Sequence, residues 1–550
     1  MDLLRVIPYF YLFLGSTFGQ LLTKRGIINS NEGIGQHFNL SHQQKNPVFH
    51  LTNENVLYVG GQEILYIFDF KTTEALQIEH KSEDVNSKNG ANHITIVEEL
   101  EGKILVCGTN GNNPTCWNLD NRTLEKRSDL NDGFSPHLPN ANFNILITGN
   151  DAYSTVVRQT SNGNTKKPRF HKSYKSKPLL YTGDNLMRNP QFVKSLVVES
   201  KSRDQDKILL FFIEDSGLSR TTEKRLSMVA QMCKHEIGPD DTNNYNVFST
   251  ALKSRLVCGY PAKNQYFPYL QDIFMLKRKE GDLIYGLFKN AWNRTAVCSY
   301  SVLNIEQTFN NSTLFQSKTT GLNIRPGTCL ESGKRTPIDT FTEVANNPEI
   351  TDWVMPSGGS ALNQSLVFYT NVVVNKVTAV DNETYRVLFL ATDDGYVDKM
   401  VEINGKLILV HQMSPLQQPE RIRYLELDPT QRLLYVGTTR EVARLPVDNC
   451  TGYYRSCESC LKAQDPYCGW ANGSCQSILK HERLTIPFLQ NITHGDASGC
   501  PSEPVSLPVS DIRFNLAIQP EHESTNVDNG TSRHSIGWLL WIALLTVTIM

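Results

Sequence analysis

The sequence predicts an all-β protein, a seven-bladed β-propeller carrying an inserted extrusion and followed by a small disulfide-rich module. Three observations carry that prediction. Between about residue 50 and residue 447 one phrase recurs: a short apolar β-branched strand, a Gly or polar turn, then a second alternating strand. Six of the 12 cysteines crowd into residues 450–500. Both ends of the chain carry uncharged apolar runs, which direct it to the secretory pathway, where thiols oxidise.

The first run, up to Leu14, follows the early Arg5 and leads to small residues Thr17 and Gly19 at signal-peptidase spacing, so residues 1–19 are expected to be a signal peptide cut near Gln20. The repeated phrase then appears at residues 56–68, 104–109, 145–149, 208–212, 284–288, 387–397 and 433–438. Alternation with Gly-bearing turns marks half-buried antiparallel hairpins. Where the chain is compact, the spacing of about 40 to 50 residues is that of a four-stranded blade. A closed ring leaves no strand edge open, which keeps so much strand soluble. The spacing stretches between Ile208 and Val387, so that half carries insertions; residues 189–199 and 249–279, with helical or loop-like spacing, are the expected inserts.

The propeller is expected over residues 20–447, the disulfide module over 448–500 and a linker over 501–535. In the module, Cys457, Cys460, Cys468 and Cys475 also spell a zinc-like pattern, but an oxidising lumen favours disulfides. The last run, residues 536–550, is shorter than the roughly 20 residues of a spanning helix. It suits the tail of a glycosylphosphatidylinositol (GPI) signal, with Ser524 and Asn526 as attachment candidates; a short membrane anchor is the alternative. Sequons at Asn39, Asn121, Asn293, Asn310, Asn311, Asn363, Asn382, Asn449, Asn472, Asn491 and Asn529 mark N-glycosylation candidates.

The net charge of −2 gives no bias toward nucleic acid. No Gly-x-Ser-x-Gly elbow, His-Glu-x-x-His or phosphate-cradling loop occurs, so the expectation is a binding protein without enzyme activity, catalytic residue, metal or cofactor. Residues 166–177 are basic with interleaved aromatics, a candidate glycosaminoglycan contact; the competing reading is a solvated loop between blades.

Ordered short motifs over roughly residues 50–500 resemble the semaphorin family. They are Cys107-Gly-Thr-Asn with Cys116, Asn189-Pro-Gln-Phe-Val193, Leu210-Phe-Phe-Ile-Glu-Asp215, Gln231-Met-Cys-Lys234, Ser254-Arg-Leu-Val-Cys-Gly-Tyr-Pro261, Leu270-Gln-Asp-Ile-Phe274, Ala296-Val-Cys-Ser-Tyr300, Arg325-Pro-Gly-Thr-Cys329 and Asp465-Pro-Tyr-Cys-Gly-Trp470. The resemblance implies a sema propeller and a cystine-knot-like plexin-semaphorin-integrin (PSI) module. It implies the disulfides Cys107–Cys116, Cys233–Cys329, Cys258–Cys298, Cys450–Cys468, Cys457–Cys500 and Cys460–Cys475.

It also implies a plexin receptor bound through the loops of blades three and four, and homodimerisation. Asp184, Arg188, Asp215, Arg220, Lys224 and Arg225 are then the receptor-contact candidates. The role implied is a lipid-anchored ligand on the outer face of the plasma membrane, acting in cell or axon guidance, adhesion or immune regulation; the alternative is a non-signalling adhesion or decoy protein of the same fold. Three departures stand out. The family's further cysteine pair is absent from residues 134–143, no immunoglobulin domain fits between Cys500 and Ile536, and no Arg-Gly-Asp occurs for an integrin. The lipid-anchor tail points to the class-seven branch.

Overall fold

A computed structural model describes residues 35–83, 90–130, 134–158, 167–172, 179–217, 223–480 and 487–501. The expected signal peptide, the expected linker beyond Pro501, the apolar tail, Arg220, Ser524, Asn526 and Asn529 lie outside the described residues.

Seven antiparallel sheets form the blades, each entered on its innermost strand. Blade 1 comprises Val48–Leu51, Val56–Gly60, Ile64–Asp69 and Glu74–Glu79; blade 2 comprises Ile94–Leu100, Lys103–Gly108, Thr115–Asp120 and Thr123–Arg127. Blade 3 has Ile145–Thr148, Asp151–Arg158 and Lys167–Lys172; residues 180–182 extend its outer edge through Lys172 N–H to Leu180 O (2.8 Å) and Thr182 N–H to Phe170 O (3.0 Å). Blade 4 has Gln191–Val198, Lys207–Asp215, Arg225–Cys233 and Leu252–Arg255; blade 5 has Tyr269–Leu276, Leu283–Lys289, Thr295–Ser301 and Asn363–Ser365. Blade 6 has Tyr369–Thr378, Thr384–Thr392, Val397–Ile403 and Lys406–Met413.

Blade 7 closes the ring by taking strands from both ends of the propeller. Its strands Tyr424–Asp428, Leu433–Gly437 and Glu441–Pro446 are completed by the early strand Gln36–Asn39, which pairs antiparallel with Glu441–Pro446. Aromatic rings fill the seam with blade 1: Phe38 stacks on Phe68 at 4.9 Å, and Phe49 on Tyr424 at 5.1 Å. The ring is thus closed by strands from both ends of the propeller.

The second strands explain the sequence phrases. Lys207–Asp215 is buried from its first residue to its penultimate one, because neighbouring blades cover both faces, so it reads as an unbroken apolar run. Tight reversals sit between strands: Asn404 and Gly405 both take positive φ (51° and 71°), the type I′ turn that matches strand twist.

The expected inserts need correction. Residues 189–199 contain Gln191–Val198, the innermost strand of blade 4, and residues 249–279 contain the last strand of blade 4 and the first of blade 5. A bulge at Phe192/Lys194 breaks the alternation, and the buried residues Phe192, Ser195 and Val198 fall three apart; Leu270, Ile273 and Leu276 repeat that pattern beside a bulge at Leu270/Asp272. Bulged inner strands thus imitate helical spacing.

The true extrusion is residues 302–362, between the third and fourth strands of blade 5, with helices Val302–Asn311 and Ile338–Asn346. Its segment 348–354 lies along the outer strand of blade 4, with Lys253 N–H to Pro348 O (2.8 Å) and Val354 N–H to Arg255 O (2.9 Å), and so covers that edge. The bridge Cys233–Cys329 ties the extrusion to blade 4, and Cys258–Cys298 ties the blade 4–5 connection to blade 5.

The PSI module holds two short helices, Cys450–Tyr453 and Cys457–Lys462, and a hairpin, Cys468–Ala471 with Ser474–Ser477. Disulfides Cys450–Cys468, Cys457–Cys500 and Cys460–Cys475 lace it, as Cys107–Cys116 laces blade 2, and among the described residues no cysteine is free. One apolar cluster runs from blade 6 (Val387, Phe389) through Val447 into the module (Tyr467, Cys450). The wholly buried Lys399 of blade 6 donates to Asp465 Oδ2 (2.6 Å) and Val447 O (2.8 Å), so a charge pair pins module to propeller.

Candidate receptor-contact face

In a blade of four antiparallel strands, reversals alternate between the two faces of the ring. Connections from one blade to the next therefore emerge on the same face as loops joining second and third strands. Residues 183–190, between blades 3 and 4, share that face with residues 216–217 and 223–224, the described ends of the connection inside blade 4. Hydrogen bonds join them: Asp215 N–H donates to Arg188 O (3.0 Å), and Arg225 Nη2 to Asn189 O (2.9 Å).

The structure assembles five of the six contact candidates here. Asp215 accepts from Asn189 Nδ2 (3.1 Å) and pairs with Arg225 Nε at 3.2 Å, so both half-buried side chains brace the loops. Asp184 pairs with Arg169 Nε at 2.6 Å; that hydrogen bond raises the guanidinium pKa, and Arg169 also stacks on Tyr181 at 4.4 Å. Arg188 and Lys224 are exposed and face solvent as cations. A Cβ on Gly217 would fall 1.5 Å from Arg188 Nη1, so the bare backbone of Gly217 leaves room for the guanidinium where it stands.

A buried pair supports this surface. Lys253 Nζ donates to Glu214 Oε1, and Glu214 Oε2 accepts the Arg188 N–H (2.8 Å). Burial pushes the Glu214 carboxyl up, against the opposing pull of Lys253. The loop that presents Arg188 therefore hangs from a carboxylate fixed in the core.

The described part of the basic segment, residues 167–172, is strand and not the loop between blades that competed for it. Lys167–Lys172 is the third strand of blade 3; Lys172 is buried against Asp151 (3.5 Å), and Arg169 is committed to Asp184. Two of its cations thus serve the fold. Lys166 and residues 173–177 lie outside the described residues.

Sequons Asn39, Asn121, Asn293, Asn310, Asn311, Asn382 and Asn472 are exposed; Asn363, Asn449 and Asn491 are half-buried. Sequence reasoning missed one residue that positions the face. Asn142 clamps the innermost strand of blade 4 through Nδ2 to Phe192 O (3.0 Å) and Phe192 N–H to Oδ1 (2.5 Å). It sits in the stretch where the family's extra cysteine pair is absent, and an asparagine in a polar loop carries no sequence signal of its own.

A family model described as Sema domain matches residues 270–429, and one described as Plexin repeat matches residues 449–501. Human (Homo sapiens) Semaphorin-7A is 34% identical over 458 residues, covering 80% of this chain and 68% of that protein. The chain belongs to the semaphorin family. Solved structures similar to this semaphorin include Drosophila Semaphorin 1b, extracellular domains 1-2, with TM-score 0.73 and 22% identity over 85% of this chain and 98% of that one. A chain from Drosophila Plexin A in complex with Semaphorin 1b gives TM-score 0.70 and 23% identity over 85% and 98%. At those identities the likeness establishes the fold. In this semaphorin, no helix among the described residues is long and apolar enough to cross a membrane.

Proposed function

We propose that this semaphorin is a cell-surface ligand that binds a plexin receptor through the face formed by residues 183–190 and 216–225. The observation that carries the reading is the braced presentation of Arg188 and Lys224: ion pairs and backbone bonds hold residues 183–190 together with residues 215–216 and 224–225, while the two cations remain exposed on a closed, disulfide-laced ring. Rigid scaffolds that hold loops in place favour recognition of another large surface. The similarity to Semaphorin-7A and to a semaphorin solved with Plexin A supports the partner class.

Such a ligand signals to the receiving cell in guidance, adhesion or immune regulation, acts as a homodimer that brings receptors together, and carries out no catalysis. It enters the secretory pathway through residues 1–19 and is held on the outer membrane face by a lipid anchor at Ser524 or Asn526. Its sequons carry glycans. A binding screen against plexin ectodomains tests the partner, and release from cells by phosphatidylinositol-specific phospholipase C tests the anchor. A specific complex weakened by reversing the charge of Arg188 and Lys224 is the expected result; binding to no plexin ectodomain removes the reading.

A further inference from the structure

Blade 5 places a second feature on the same face. Residues 290–294 join its second and third strands, which puts this loop on the side of the ring that carries residues 183–190, 216–217 and 223–224. The turn is fixed from within. Asn290 Oδ1 accepts the N–H groups of Trp292 (3.0 Å) and Arg294 (3.1 Å), while Asn290 N–H donates to Arg294 O (3.0 Å). At its tip stands Trp292, 83% exposed, more than any other large apolar side chain among the described residues.

A single exposed apolar residue is ordinary. The surroundings of Trp292 are not, because it borders a cleft of about 560 Å³ shared with Tyr266, Asn264, Glu223 and Arg294. Beside that cleft, Arg255 lies 4.6 Å from the Trp353 ring and 5.8 Å from the Tyr266 ring, and pairs with Glu223 at 3.7 Å. Trp, Tyr and Arg gathered on a rigid support are the residues that dominate binding energy at protein interfaces.

Charge selects the complement. Lys263 and Arg294 are exposed at this end of the face, Lys289 lies half-buried beside them, and the nearby acid, Glu223, is already paired with Arg255. Glu223 also adjoins Lys224 in the blade 4 loop, so the two surfaces are continuous. Asn293, the neighbouring sequon, is not part of the cleft wall.

We infer that Trp292 anchors a blade 5 extension of the receptor-contact face, and that it enters an apolar pocket rimmed by carboxylates on the partner protein. This rests on the receptor reading above and adds its energetic centre. Because the ring is nearly free of the rest of the protein, its removal leaves the fold intact.

The test is binding of plexin ectodomains to the glycosylated, secreted ectodomain, with Trp292→Ala, Trp292→Phe and Arg294→Glu beside the wild type. Trp292→Ala is expected to weaken binding by at least about tenfold, the scale of an interface anchor. Its melting temperature stays unchanged, Trp292→Phe recovers most of the loss, and Arg294→Glu slows association. Wild-type affinity in Trp292→Ala, with Arg188→Glu still impaired, overturns this inference and leaves the receptor reading standing. Loss of wild-type binding after the receptor's glycans are trimmed makes the occupant a sugar and also overturns it. A wild-type ectodomain that binds no plexin ends both.

Discussion

Two charged regions of this semaphorin use the same side-chain chemistry for opposite ends. At the propeller–PSI junction, Lys399 and Asp465 are completely buried, and the pair is saturated: Lys399 also reaches Val447 O, and Asp465 receives Tyr454 OH (3.1 Å) and Tyr467 N–H (3.0 Å). On the contact face, Asp215 and Arg225 are half-buried and leave Arg188 and Lys224 facing water. Buried charge tolerates no missing partner, whereas a half-exposed pair borrows one from solvent. The junction therefore serves stability, and the face leaves two cations free for the proposed recognition.

The largest expected effect comes from breaking the junction. Asp465→Ala leaves Lys399 buried without its carboxylate and is expected to cost about 3–5 kcal/mol. Chemical denaturation measures it, and a cost below about 1 kcal/mol contradicts the comparison, since that is the range of an exposed pair.

Acid probes the same junction through His411. Burial, aided by Lys399, holds its imidazole down from 6.5 to about 4, while Asp465 opposes the shift; Tyr453, at 4.2 Å, and Tyr454 are the other titratable groups against it. The folded state thus binds this proton less readily than the unfolded chain. The resulting stability is complete above the unfolded pKa near 6.5 and is lost as pH falls toward 4, about 3 kcal/mol in all. Stability curves should flatten over that window in His411→Asn, and an unchanged acid limb contradicts the assignment.

Between junction and face lies the Asn142 clamp. Asn142→Ala strands two backbone groups of Phe192 and is expected to cost about 1–3 kcal/mol by thermal or chemical unfolding. Smallest in stability is Asp215→Asn, whose half-exposed pair with Arg225 is worth at most about 1 kcal/mol. For receptor binding the proposed contact predicts the reverse order, with the face variants losing most affinity and the junction variants least.

Legibility in the sequence follows the same division. The seven repeated phrases fall one in each of seven blades, because strands covered on both faces are continuously apolar. In blade 3 the phrase marks the first strand, Ile145–Thr148, and in the other six it covers or begins in the second. Bulges hid the innermost strands of blades 4 and 5 behind a helix-like period, and the extrusion at 302–362 was placed too early for the same reason. The charge pair of the junction was invisible, since Lys399 and Asp465 stand 66 residues apart and each alone looks like surface. On the face, Asp184, Arg188, Asp215, Lys224 and Arg225 were named as contact candidates from the family resemblance, and their division into ion-paired and exposed side chains needed the fold. Trp292 gave no signal, because exposure is a property of the folded loop.

In the proposed function, braced loops of blades 3 and 4 present Arg188 and Lys224 to a receptor. Its most direct test is the affinity of the purified ectodomain for plexin ectodomains, wild type against Arg188→Glu with Lys224→Glu, beside the melting temperature of each. The account predicts a loss of at least about tenfold with no change in melting. Equal affinity for wild type and double variant contradicts it.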